Sequence, residues 1–352
     1  LATTYLALSI VGSGNVFQGF STLLTEASSH FNMIIEKGEM MIPDGTGGER
    51  DAYMDLPGLS VLIGGMWVVN LSYWGFNQYI TQRALAAKSL NEAQKGMVFA
   101  GFLKLLMPLI VVIPGIAAYV IVNQGIDPSF ADSMTDPVTG IIKSDRAYPT
   151  LLQLLPSGLK GLAFAALTAA IVSSLASMAN STSTIFTLDV YKNFFDENAS
   201  EKKQVRVGRI TAIIAFIVAA IVAPALRELD QAFQYIQEYT GFVSPGVFAI
   251  FVFGFFWKKT TSNAALTAAA LTIPLSAAFK FLTPNLPFID RRGLVFLIIS
   301  GLIIAISLFE GKGKDHPKGI EISKDLFKTS TQFKIGAILI SGIIAALYIV
   351  FW

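Results

Sequence analysis

Four stretches hold most of the groups that could do chemistry. NLSYWGFNQYITQR brings Asn70, Tyr73, Trp74, Asn77 and Gln78 in quick succession, directly after the apolar run PGLSVLIGGMWVV. A carbohydrate has hydroxyls that need donors and acceptors, and apolar ring faces that favour aromatic contact. Amide and aromatic side chains meet both needs. Tyrosine and tryptophan also form belts at membrane interfaces, but Tyr73 and Trp74 lie well inside the run, behind Asn70. Lys104 stands in GMVFAGFLKLLMPLIVVIPG, about 13 Å beyond Lys95 if the segment is helical. A lysine at the centre of a membrane helix costs about 2.5–3.5 kcal/mol, so a polar partner or aqueous cavity is expected unless tilt lets it reach the interface.

In FAALTAAIVSSLASMANSTSTIFTLD, Ala170, Ser173, Ser174, Ser177 and Ser181 share one helical face. Small residues and serines are the ordinary material of tight packing between membrane helices. Hydroxyls beside a loosened carbonyl would equally suit a hard monovalent cation. The residues leave both uses open, packing being the commoner. QAFQYIQEYTGFVSPGVFAIFVFG crowds Gln231, Gln234, Gln237 and Glu238 ahead of Gly241, Ser244, Pro245 and Gly246. Pro245 has no amide hydrogen, which predicts a kink. Gln237 and Glu238 fall on different faces, so at most one lines a given cavity. For other chemistries the residues are missing. There is no cysteine, and both histidines stand in loop-like sequence. No nucleophile–histidine pair, P-loop, zinc motif or carboxylate dyad occurs in the apolar runs, so enzymatic activity is not expected. The net charge of +2 gives no sign of a nucleic-acid partner.

The elements that position these groups follow from composition. The chain is 53% hydrophobic and 14% charged, against about a quarter charged in soluble domains, so it reads as a polytopic membrane protein. A span of about 30 Å of hydrocarbon needs roughly 20 apolar residues. Runs of that kind cover 57–80, 96–122, 158–188, 207–225, 231–257, 263–283, 293–309 and 334–352. They are continuous rather than alternating, which predicts helices and not a barrel. Residues 1–19 read as the end of a partial helix without a basic leader, so a longer gene product with its first part missing is expected. Lysine and arginine concentrate in the loops after the first, third, fifth and seventh runs, among them Arg83, Lys203, Lys258, Lys318 and Lys324, whereas Arg227 and Arg291 lie opposite. The richer set faces the cytoplasm. The long loops 20–56 and 123–157 then lie outside, with short amphipathic pieces such as AYPTLLQLLP.

Taken together, AAIVSS with SMANSTSTIFTLDVYK, NLSYWGFNQYITQR, GFLKLL and FQYIQEYTGFVSPG resemble the sodium:solute symporter family, in its sodium/sugar (glucose/galactose) cotransporter branch. The likeness runs over the whole chain. It implies an all-α polytopic membrane protein with a LeuT-like inverted-repeat fold: a second five-helix repeat over 57–257, three C-terminal helices over 263–352, and a first repeat largely missing. It implies sodium as the coupling ion, held by the Ala170 carbonyl and the Ser173 and Ser174 hydroxyls. Asn70, Lys104 and Gln237 match positions that hydrogen-bond the sugar. Tyr73 matches an aromatic inner gate with Trp74 beside it, and Phe233 matches an outer gate. Ser72 departs from the pattern, because a second tyrosine there would thicken the aromatic wall. The implied activity is sodium-driven hexose import by alternating access in a bacterial inner membrane. The implied partners are a small-molecule sugar, membrane lipid and the N-terminal helices needed to complete the site, with no nucleic acid. Another solute of the family (an amino acid, a carboxylate or sialic acid) or a sugar sensor without transport are the alternatives.

Overall fold

Backbone amides inside hydrocarbon must find partners within their own segment, so continuous apolar runs fold as helices. The computed structural model describes residues 1–44, 48–55, 57–226, 232–317, 319–323 and 327–352. Arg227, Gln231, Lys318 and Lys324 lie outside the described residues. The helices are α1 (Ala2–Val11), α2 (Val16–Glu26), α3 (Gly58–Ile63), α4 (Gly65–Leu71), α5 (Gln78–Leu85), α6 (Leu90–Asn123), α7 (Pro128–Met134), α8 (Ala147–Gln153), α9 (Ser157–Phe194), α10 (Glu201–Leu226), α11 (Ala232–Thr240), α12 (Ser244–Phe256), α13 (Ser262–Leu282), α14 (Phe288–Gly311) and α15 (Thr331–Val350). Six of them, α6, α9, α10, α13, α14 and α15, are long and apolar enough to cross a membrane. The pair α11 and α12, bent by 46°, can count as a seventh crossing. The chain is a multi-pass integral membrane protein.

The expected span 57–80 is not one helix. Gly64, at φ −124° and ψ −98°, separates α3 from α4. The wide π-helical turn Ser72–Phe76 follows, and Asn77 is extended at φ −86° and ψ 113°. Two causes are visible. Gly65 lies so close to Ile289 that a Cβ would overlap its carbonyl oxygen, which draws α4 onto α14. The Asn77 side chain accepts the Tyr79 amide at 3.3 Å and so caps a fresh helix. Hydropathy alone registers neither. Other helices start earlier than expected because a polar first turn precedes the apolar run. Ser89 Oγ, for example, accepts the Glu92 amide at 3.3 Å and starts α6.

The kink expected at Pro245 is present, displaced to residues 241–243. Pro245 occupies the first turn of α12, where a missing amide hydrogen is not needed. At the beginning of the chain, α1 ends at Val11, and a turn through Ser13 (φ 50°) and Gly14 (φ 98°) leads to α2. The loop after α2 carries a two-stranded hairpin, β1 (Met41–Pro43) and β2 (Glu49–Asp51), with Met41 opposite Asp51. The loop after α6 holds α7 and α8, the latter formed by AYPTLLQ. Asp127 caps α7, and the Ser129 hydroxyl together with the Phe130 and Ser129 amides holds its carboxyl below the usual range.

Two packed cores tie these elements together. Ala7, Leu23, Ala117, Ile121, Phe130 and Leu151 join α1, α2, α6, α7 and α8. Ala249, Ala264, Ala268, Val295, Ile299 and Ile303 join α12, α13 and α14. In the second core small residues face branched ones, as they do where helices pack without a hydrophobic drive. Replacing Gly65 by Ala should therefore cost about 1–3 kcal/mol through overpacking against Ile289. Gly254→Ala, with open space at its Cβ position, should be neutral or slightly stabilising. Thermal unfolding of the two variants in detergent checks this, and equal midpoints would remove the α4–α14 contact as a constraint.

Candidate functional site

The wide turn at Ser72–Phe76 and the extended Asn77 set the geometry of the first cluster. Tyr73 and Trp74 meet edge to face with centroids 5.5 Å apart. The Tyr73 hydroxyl is hydrogen-bonded to that of Tyr79. Lys104 Nζ lies 4.8 Å from the centre of the Trp74 ring. The partner expected for Lys104 is thus an aromatic face, and its side chain is exposed rather than buried. Asn70 is exposed too, and its Nδ2 donates to the Met66 carbonyl at 3.0 Å. Asn77, which stands in the sequence among the groups suited to a carbohydrate, caps the next helix with its side chain.

The second cluster lies on α9. No glycine or proline interrupts the chain from Leu162 to Ile185, and the helix is regular through Ala170, Ser173 and Ser174. The loosened carbonyl that a cation would favour is therefore not formed at Ala170. The hydroxyls of Ser173 and Ser174 make no hydrogen bond among the described residues, and both residues are exposed. Ser177 Oγ donates to the Ser173 carbonyl at 3.0 Å. No group of three acidic or imidazole side chains converges as a metal cage among the described residues.

Three polar bridges join these clusters, one of them from Gln82 Nε2 to the Ser177 carbonyl at 3.4 Å. Arg83 donates to Ser177 Oγ at 2.6 Å, and Asn180 Nδ2 donates to Gln82 Oε1 at 3.0 Å. Neither Gln82 nor Asn180 stands out in the sequence, and Arg83 counts there only as a loop cation. A usable signal was the placement of Gln82 and Arg83 one turn beyond Gln78 and Tyr79. The third group is on α11. The Gln237 amide makes no hydrogen bond among the described residues, and Phe233 is 73% exposed. Neither joins the Tyr73–Trp74–Lys104 cluster through a hydrogen bond or ring contact among the described residues. Glu238, on the other face as expected, pairs with Arg291 at 2.8 Å and Lys280 at 3.3 Å.

The profile of the sodium:solute symporter family matches residues 2–271. A sodium/glucose cotransporter of Vibrio parahaemolyticus is 48% identical over 355 residues, covering 99% of this chain and 63% of the relative. A sodium/myo-inositol cotransporter 2 of Bos taurus is 35% identical over 270 residues, covering 72% of this chain and 40% of the relative. The chain therefore spans less than two thirds of the length of these relatives. Among solved structures, a Na+-coupled sialic acid symporter in a substrate-bound outward-open state superposes with a TM-score of 0.66, at 18% identity, over 87% of this chain and 58% of the other. That likeness concerns the fold, which is of the LeuT-like kind.

The bridges between α5 and α9 give a direct expectation. A double-mutant cycle of Gln82→Ala and Asn180→Ala, read by unfolding in detergent, should show a coupling of about 0.5–1.5 kcal/mol. Strict additivity would mean that the Gln82–Asn180 bond does not couple the two helices.

Proposed function

Because the chain belongs to the sodium:solute symporter family, we propose that it works as a sodium-coupled secondary active symporter importing a hexose such as galactose or glucose, in a bacterial inner membrane. The observation that carries this reading is the interruption of the helix at residues 72–77. It presents Tyr73 and Trp74 with the Lys104 ammonium alongside, 4.8 Å from the indole centre. An aromatic face, an ammonium and the Asn70 amide together suit a polyhydroxylated ring.

In this reading Asn70, Lys104 and Gln237 hydrogen-bond the sugar. Tyr73, with Trp74 beside it, closes the cytoplasmic side, and Phe233 closes the outer side. Sodium is the driving cargo, held by the hydroxyls of Ser173 and Ser174 and by the second lone pair of the helix-bonded Ala170 carbonyl. Residues 57–257 act as one five-helix repeat and 263–352 as the helices that follow it. Ser177, hydrogen-bonded both to Arg83 and to the Ser173 carbonyl, supports the α9 face from the broken span. Sodium drives uptake only if it favours one of the two access states over the other, and the α5–α9 bridge gives that preference a physical route.

A second solute class is favoured by one feature. The ammonium of Lys104 would pair with a carboxylate as readily as with hydroxyls, and the relative with the same fold is described as a sialic acid symporter. Radiolabelled galactose uptake into liposomes holding the intact protein, with sodium inside-directed and then replaced by potassium, separates these readings. Sodium-dependent accumulation above the external concentration is expected. Uptake competed by sialic acid and not by galactose would move the substrate to the second class. Ser174→Ala should raise the sodium concentration for half-maximal uptake while leaving sugar affinity at saturating sodium near its original value. Asn70→Ala or Gln237→Ala should weaken sugar binding by about 1–3 kcal/mol, the penalty of a sugar hydroxyl left unpaired. Unchanged binding in both variants would remove these amides from the site.

A further inference from the structure

At the bend between α11 and α12 the charges do not balance. Arg291, Arg292 and Lys280 line a small cavity of about 20 Å³ together with a single carboxylate, Glu238. That carboxylate is already shared: Oε1 accepts from Arg291 at 2.8 Å and Oε2 faces Lys280 at 3.3 Å. Arg292 is left over. It is only 5% exposed, its Nε–H is buried without a partner among the described residues, and its side-chain hydrogen bond among them is a long contact of 3.4 Å to the Thr240 hydroxyl. Phe288 covers one face of the guanidinium at 5.4 Å. Two other carboxylates on adjoining described segments have partners of their own. Asp290 accepts the Ser60 hydroxyl at 3.1 Å, and Asp55 is held by both terminal nitrogens of Arg50.

A buried, unpaired guanidinium is expensive, and a water molecule would satisfy its N–H without balancing its charge. We propose that this cavity is a binding site for a small monovalent anion of halide type, held between Arg292 and the Arg291–Lys280 pair. The size is of the right order, since a site for one water needs about 10–15 Å³. The hinge is shaped around the cation as well. A Cβ on Gly241 would strike the Arg292 guanidinium, so the bend and the buried charge come as one unit. The bound anion then ties α11, which carries Phe233 and Gln237, to the first turns of α14. This inference needs neither the sodium nor the sugar assignment.

The test is thermal unfolding of the intact protein in detergent at constant sodium, with chloride exchanged stepwise for gluconate. A saturable rise of the midpoint with chloride is expected, reproduced by bromide and absent with gluconate. Arg292→Gln should abolish the chloride dependence. Glu238→Gln, which removes the competing carboxylate, should bind halide several-fold more tightly. Crystals grown in bromide should show an anomalous peak between Arg292 and Lys280. Identical midpoints in chloride and gluconate, or a halide effect of full size in Arg292→Gln, would overturn the proposal. If Arg292→Gln does not fold, the bromide peak in the unaltered protein and the affinity of Glu238→Gln decide, and no peak or an unchanged affinity counts against it.

Discussion

Backbone hydrogen bonding in hydrocarbon is the constraint on which the rest of this structure depends. An unpaired amide or carbonyl in lipid costs several kcal/mol, so a helix can be interrupted only where another group supplies the missing bond. Several breaks here have such a supplier. At Gly64 the Trp67 indole donates to the Leu62 carbonyl at 2.6 Å. At the wide turn Pro108–Val112 the Thr4 hydroxyl donates to the Leu109 carbonyl at 2.7 Å. At the bend after α11 the Ser276 hydroxyl reaches the Phe242 carbonyl at 3.3 Å. At Asn77 the side chain itself accepts the next helix's amide. Broken spans are thus pinned by particular side chains from particular neighbours, which makes their geometry definite.

This constraint also explains why the candidate site is made of two different kinds of element. Where the chain breaks, polar groups are already required, and the same place can present aromatic rings and amides at unusual angles. Tyr73 and Trp74 owe their perpendicular arrangement to the wide turn that carries them. The serines of α9 are presented differently, by an unbroken helix whose backbone is fully used. Such a helix can offer side-chain oxygens without strain, and otherwise only the second lone pair of its carbonyls. The bridges from Gln82 and Arg83 to Asn180 and Ser177 are what make the two presentations parts of one structure.

How much of this was legible in the sequence differs from element to element. The long apolar runs gave helices, AYPTLLQ gave α8, and Pro245 marked a bend, because each of these signals is local. The break at Gly64 was not legible. A Gly-Gly pair within an apolar run is compatible with a continuous helix, and only the approach of Ile289, far away in the chain, decides against it. The wide turns were equally hidden, since their stabilising donors, such as Thr4 for Leu109, come from other helices. Arg83 looked like a loop cation because counting charges says where a loop lies, not what a side chain reaches. Asn77 looked like a cavity group because its capping role appears only once the helix is known to restart there. For the site, Tyr73, Trp74 and Lys104 each stood out by residue type, and only the family resemblance placed them together. The link to α9 was not legible.

Lys104 shows how magnitudes bear on the choice of environment. Placing a lysine at the centre of a membrane helix costs about 2.5–3.5 kcal/mol. The Trp74 face returns about 0.5–1 kcal/mol at an exposed site and about 2 when dry. No carboxylate pairs with Lys104 among the described residues, so the aromatic contact alone leaves a deficit. Water or a polar solute has to meet the ammonium from the open side. A lipid-facing position would leave that deficit in place, whereas an aqueous cavity removes it. The exposed side of the Trp74–Lys104 pair is therefore better suited to a wet passage than to the bilayer. Asn70, exposed one turn before Trp74 and with no hydrogen bond to its Oδ1 among the described residues, extends the same polar surface.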